Sequence, residues 1–307
     1  MSVPPGQGPR AFGYAAGLLA TFLWGSSFVG SKLAMAGLTP LAVLAARLVL
    51  GAAAYGVLLV ALSRGVPAVP RRARTRLLLV ALFGPAMNTL GVVFAIGLLG
   101  AGTTSLVIML VPMLTHILAA VARYERFGAA KLLGVLMALG GLGVVVLTGG
   151  PERPAVGANG LGLLWLLLGA LGFAIYNVHS RPLTAQYPPL VASAYLGLLA
   201  PLCLVPFAVA GALIADLRAL GGLSPGEWAL LVYISVGGIT GGFFCWYLAL
   251  RALGAIRASL FLIPLWGLAG SAWLLGEPVT PWLPSGVGLV VAGIVVSNRS
   301  AGGTRVA

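Results

Sequence analysis

Apolar runs of about 20 residues follow one another along the whole chain, and a helix of that length spans roughly 30 Å of hydrocarbon. Ten such runs fall near residues 12–32, 40–62, 77–98, 103–122, 130–148, 160–180, 190–212, 228–250, 256–275 and 280–298. The connections are short, with turn residues at Gly37–Pro40, Gly100–Gly102, Gly149–Pro154, Pro188–Pro189 and Gly221–Pro225. No soluble domain fits between them. Only 7% of the residues are charged and 60% are apolar, with a mean hydropathy of +1.07. A soluble domain carries roughly a quarter charged residues, so this chain cannot hide its apolar surface from water. It is expected to be an all-α integral membrane protein whose first partner is the lipid bilayer.

The net charge of +13 does not point to nucleic acid, which would need a basic stripe on a folded soluble face. Here the basic residues lie between the apolar runs, where the positive-inside rule places them. With the N-terminus inside, cytosolic segments hold Arg10, Arg64, Arg71, Arg72, Arg74, Arg76, Arg123, Arg126, Lys131, Arg181, Arg251, Arg257, Arg299 and Arg305. Outer segments hold Lys32, Arg153 and Arg218, and Arg47 falls within a helix. This asymmetry predicts ten crossings with both termini cytosolic. The short polar start, MSVPPGQGPR, does not read as a cleavable signal. Cys203 and Cys245 sit inside apolar runs as small core residues, with neither disulfide nor metal-ligand spacing.

The chain also repeats itself. Gly102, Leu110, Pro112 and Glu125 fall on Gly254, Leu262, Pro264 and Glu277, each 152 positions further on. The same register carries Gly134 onto Gly286 and Gly141 onto Gly293. Near the start, Lys32 meets Arg181 and Pro40-Leu41 meets Pro189-Leu190 at an offset of 149. The unit is therefore five helices, residues 1–149 and 150–307. Five is odd, so the second copy enters the membrane from the opposite side, giving the inverted-repeat plan of many transporters.

Read together, these pieces resemble the drug/metabolite transporter superfamily, specifically its bacterial EamA-type branch. The resemblance rests on Trp24-Gly25-Ser26-Ser27-Phe28 with Lys32, on Pro40 followed by Arg47, and on Gly102 through Pro112 to Glu125. It continues in Trp246-Tyr247-Leu248-Ala249-Leu250, Gly254, Ser259, Pro264 and Gly276-Glu277, with the two later glycine pairs. It implies a ten-helix secondary carrier of the bacterial inner membrane, often an exporter, with a cavity between two halves. It does not imply a substrate. The chain departs from related four-helix multidrug carriers, which place a carboxylate in the first helix where Trp24-Gly25-Ser26 stands here. The sixth helix has Phe173-Ala174-Ile175-Tyr176-Asn177 rather than a second Trp-Gly.

Five carboxylates, Glu125, Glu152, Asp216, Glu227 and Glu277, all fall at helix ends or in connections. A proton relay through a buried acid, or a carboxylate site for organic cations, therefore has little to stand on. Neutral, zwitterionic or anionic substrates are favoured. Glu125 and Glu277 are expected to orient their short connections or pair with nearby basic groups. Arg47 lies seven residues beyond Pro40, about 10 Å below the outer surface at 1.5 Å per residue. There it either holds a substrate carboxylate or phosphate, or braces the bundle. His116, one turn past Pro112, either couples transport to pH or bonds a neighbouring backbone as a neutral ring.

Asn88, Tyr176 and Asn177 are polar groups placed deep in helices three and six, to bind substrate or to join helices. Trp24, Phe28, Phe94, Trp246, Tyr247, Phe261 and Trp266 are candidates for an aromatic cavity, while Trp165 and Trp282 suit an interfacial belt. Pro112 and Pro264 are expected to kink their helices, as gating points or as static bends. Gly134 and Gly141, like Gly286 and Gly293, share one helix face and suit close helix packing, with a homodimer contact as a further use. Nothing requires a cofactor or metal, and no nucleophile-base spacing suggests an enzyme. The leading expectation is alternating-access export of amino acids or related metabolites. An uptake permease or a non-transporting sensor or scaffold is the alternative.

Overall fold

A computed structural model describes residues 10–62, 71–123, 128–148, 156–180, 183, 187–214, 220–253, 263–277 and 281–299. The described residues are helical throughout, with turns and no strand among them. Helical segments occur at each of the positions marked by hydropathy. They are α1 (Arg10–Ala34), α2 (Pro40–Leu62), α3 (Arg71–Ala81, Leu82–Ala86 and Met87–Leu99 in succession) and α4 (Ala101–Val107, then Leu110–Val121). After them come α5 (Ala129–Thr148), α6 (Val156–His179), α7 (Pro189–Ile214) and α8 (Pro225–Val232, Tyr233–Gly241 and Gly242–Leu253). The last are α9 (Ile263–Leu274) and α10 (Leu283–Arg299). Among the described residues, six spans are long and apolar enough to cross a membrane by length and composition, and three shorter apolar helices accompany them.

The pairing of helices follows the sequence repeat. α1 packs on α8 and α9, and their counterparts five helices away match it, α6 packing on α3 and α4. α2 pairs with its own counterpart α7, α4 with α9, and α5 with α10. Most large contacts thus join one half to the other.

At the α5–α10 crossing the expected glycine faces meet each other inside the chain. A methyl group at Gly134 would collide with the Gly293 carbonyl oxygen, and one at Gly141 with that of Gly286. Only residues without a side chain let the backbones approach this closely, and van der Waals packing then holds them. The opposite face of α5 is apolar and exposed at Leu132, Leu133, Leu136 and Leu139, as a lipid-facing surface requires.

Two helices contain wide, π-type turns in matching places. In α3 the Met87 N–H reaches back five residues to the Leu82 carbonyl, around Pro85. In α8 the Gly242 N–H reaches back to Gly237 in the same way. Leu82–Ala86 lies 152 positions before Ile234–Gly238, so the irregularity belongs to the repeat. Such turns widen the helix and free carbonyls for other partners.

Pro112 acts just as locally. α4 breaks at Ile108–Met109, and the Ile108 carbonyl, which the proline cannot serve, accepts from the Val111 N–H at 3.0 Å. Pro264 is the second residue of α9, so its missing N–H falls in the first turn of the described helix. Glu125 and Phe261 lie outside the described residues.

Candidate functional site

The helices meet around a small cavity lined by Trp24, Phe28, Arg47, Asn88, Thr89, Val92, Ile108, Phe173, Ile239 and Phe243. Its walls come from α1, α2, α3 and the break in α4 on one side, and from α6 and α8 on the other. One stripe of α1 supplies its first wall. Trp24, Ser27, Phe28 and Ser31 are spaced three and four apart, so they share a face, and all four are buried.

The wide turn of α8 receives this stripe. The Trp24 Nε1–H donates to the Gly238 carbonyl at 2.9 Å. Beside it the Tyr55 hydroxyl donates to the Thr240 carbonyl at 3.1 Å, and the Thr240 hydroxyl donates back to the Gly51 carbonyl at 3.0 Å. Two buried carbonyls of this irregular helix thus accept from side chains of α1 and α2.

Aromatic rings form the next wall. Trp24 meets Phe173, Phe243 and Trp246 at centroid separations of 5.3, 5.2 and 5.4 Å. Tyr176 stacks on Phe173 at 5.6 Å. Phe173 stands 149 positions after Trp24, so the two halves touch through equivalent residues. Below the rings runs a polar link between three helices. The Trp246 Nε1–H donates to Asn177 Oδ1 at 3.0 Å, the Asn177 amide donates to Thr115 Oγ1 at 3.4 Å, and the Thr115 hydroxyl donates to the Val111 carbonyl at 2.7 Å.

Two of the predicted site residues take distinct polar roles here. The Asn88 amide donates to the Gly169 carbonyl at 3.2 Å, joining α3 to α6 at the cavity edge. Arg47 is only 4% exposed, and its Nη1 donates to the Ser31 hydroxyl. That hydroxyl donates in turn to the Ser27 carbonyl at 2.7 Å. Among the described residues the buried Arg47 Nε has no hydrogen-bond partner.

Glu277 is used quite differently. Its carboxylate oxygens accept from the Ala101 and Gly102 N–H groups at 3.1 and 2.8 Å. These are amides at the start of α4, where a helix has unsatisfied donors and a positive dipole end. Gly100, at φ +86°, turns the chain so that both amides face the carboxylate. The acid that ends α9 therefore caps a helix in the other half.

Of the sequence candidates, Trp24, Phe28, Arg47 and Asn88 line the cavity, and Tyr176, Asn177 and Trp246 support its aromatic wall. His116 and Tyr247 are buried outside the lining. The carbonyl that Pro112 leaves without a donor is taken by Val111, so that carbonyl gives His116 no special role. Trp266 is 38% exposed and meets Phe22 on the outside, which removes it from the cavity. Phe94 stacks on Trp165 at 5.0 Å, while Trp282 is exposed as a belt residue would be. Sequence reading missed Ser31, Thr89, Thr115, Phe173 and Phe243 as site residues. The first three are hydroxyl residues whose usual bond is to their own helix. Phe243 carried one readable signal, its place one turn before Trp246-Tyr247.

The model of the EamA-like transporter family matches residues 11–147 and again 160–299. The chain belongs to the EamA-like transporter family. Among its relatives is a protein of Archaeoglobus fulgidus named "Uncharacterized transporter", 28% identical over 92% of this chain and 96% of that protein. A "Probable terminal-alkyne amino-acid exporter" of Streptantibioticus cattleyicolor is 31% identical over 67% of this chain and 66% of its own length. A solved structure described as "Crystal structure of protein" shares the fold, with a TM-score of 0.67 at 21% identity, covering 95% of this chain and 98% of its own. An EamA-type chain with this many apolar helices is a multi-pass membrane protein.

Proposed function

We propose that this EamA-family transporter is a secondary carrier that exports amino acids or related small metabolites by alternating access through the cavity between its halves. The observation that carries the reading is the cavity itself, lined by both halves and closed by aromatic rings that meet across their boundary. A site shared between two structural repeats is what rocking of one half against the other exposes to each side in turn.

In this reading the chain crosses a bacterial inner membrane ten times, with both ends in the cytosol and residues 1–149 and 150–307 as inverted repeats. The basic residues between apolar runs and the twofold pattern of helix pairing support it. The amino-acid class draws support from the name of the Streptantibioticus relative and from a cavity that mixes rings, an amide and an arginine. The break before Pro112 reaches the cavity through Ile108 and serves as a flexing point. Should the carrier pair with itself through α5 and α10, the exposed leucine face of α5 is the surface left for that contact.

The test is counterflow. Proteoliposomes loaded with unlabelled amino acids should accumulate labelled ones, saturably and only when the protein is present. Absence of counterflow across the amino acids and their close metabolites, with and without a pH gradient, would defeat the proposal.

A further inference from the structure

Arg47 carries a charge into the cavity wall, and no carboxylate among the described residues pairs with it. Of the two carboxylates among the described residues, Glu277 is held by the amides of Ala101 and Gly102, and Glu227 by the Ser224 N–H at 2.7 Å. The other three fall at helix ends or in connections in the sequence. A guanidinium taken out of water without a counter-charge is a standing cost.

The orientation of the group is fixed as well as its burial. Ser31 holds Nη1, and the serine hydroxyl is itself fixed by its bond to the Ser27 carbonyl. What remains is the edge formed by Nε and Nη2. That edge is a fork of two parallel N–H groups, whose spacing matches the two oxygens of a carboxylate or other oxyanion. The buried Nε on this edge lacks a partner among the described residues, and the residue lines the cavity beside Asn88 and Trp24.

We propose that Arg47 is an anion-recognition subsite, and that the cavity selects its substrates by an oxyanion rather than by an ammonium group. The inference rests on the carrier reading above and narrows it. A substrate places its carboxylate against the Nε–Nη2 edge and its apolar body against the rings. An amino group is then tolerated but not required, because no described acid stands near to receive it. The rival is capture of an ammonium group by the rings through cation–π attraction, which predicts the opposite selectivity.

Matched compounds distinguish the two. For the purified wild-type protein, binding by calorimetry and by thermal stabilisation is measured for each aliphatic and aromatic amino acid, its 2-hydroxy acid and its amino alcohol, with inorganic phosphate as a separate arm. The 2-hydroxy acid of the best-bound amino acid should bind within about threefold of it. The amino alcohol should bind at least about tenfold more weakly, as expected when a charge-assisted pair is lost. Arg47→Gln should erase that preference and Arg47→Lys should retain part of it, each checked as monodisperse by size exclusion.

Binding by phosphate but by no carboxylate would uphold the anion subsite and remove the amino-acid reading. Amino alcohols binding as well as amino acids, or a wild-type protein that binds no anion of the panel, would overturn the subsite even if both variants failed to fold. An uncharged metabolite carried in counterflow would leave the carrier standing without the subsite, whereas carboxylates bound at Arg47 without counterflow would do the reverse.

Discussion

Arg47 and Glu277 are both charged side chains inside an apolar helical protein, and their surroundings could hardly differ more. Glu277 has a backbone N–H for each oxygen, at a helix end whose dipole favours a negative charge. Arg47 has one serine and a buried Nε without a partner among the described residues, in the wall of the cavity. A satisfied charge ties structure together, and under the anion-subsite proposal the unsatisfied one receives a ligand. On that proposal the difference separates a residue that serves stability from one that serves binding, although both lie in a chain with 7% charged residues.

The largest expected effect breaks the comparison from the arginine side. Arg47→Met keeps length and apolar packing but removes the charge. Counterflow should fall by about a hundredfold or more, the worth of two charge-assisted hydrogen bonds to substrate. The folded protein should melt at or above the wild-type temperature, because a buried charge without a partner has been replaced by an apolar group of similar volume. Next comes Glu277→Ala, which removes the acceptors of two amides and should destabilise the protein by about 1–3 kcal/mol. Its counterflow per folded molecule should remain within a few-fold of wild type, read against the amount of monodisperse protein.

Part of this contrast was open to inspection in the sequence. The helix runs, the doubling of the chain, the glycine pairs of α5 and α10, and the anomaly of Arg47 all follow from hydropathy, register and spacing. The partner of Glu277 does not, because Ala101 lies in the other half and nothing local records the meeting. The wide turns of α3 and α8 are equally silent. An apolar helix with one extra residue per turn has the same composition as one without, and only Pro85 in the first marks the place. The outward side of Trp266 is equally hard to read from sequence. In a membrane helix the lipid face is as apolar as the cavity face, so hydropathy alone cannot say which way a ring points.

A middle-sized effect tests the polar link under the rings. Asn177→Leu should cost about 1–2 kcal/mol by leaving the Trp246 Nε1–H without its acceptor. The pair Asn177→Leu with Trp246→Phe should cost less than the sum of the single changes, which a double-mutant cycle reads directly. If the two changes add, the link is geometry without energy.

The smallest effect belongs to Pro112. Replacing it with Ala restores an N–H for the Ile108 carbonyl and should change stability by under about 1 kcal/mol, since Val111 already serves that group. The distribution between inward-open and outward-open forms should nevertheless shift in disulfide trapping, because a continuous α4 flexes less. An unchanged distribution would reduce Pro112 to a static bend.

Alternating access requires a cavity that opens to each side of the membrane in turn. The most direct measurement places a single cysteine at Val92, in the cavity wall, after replacing Cys203 and Cys245. Its reaction with a membrane-impermeant thiol reagent is then followed from either face of oriented vesicles. Alternating access predicts labelling from both faces, with a transported amino acid shifting the ratio between them. Labelling from one face alone, under every condition and with every substrate, would contradict it.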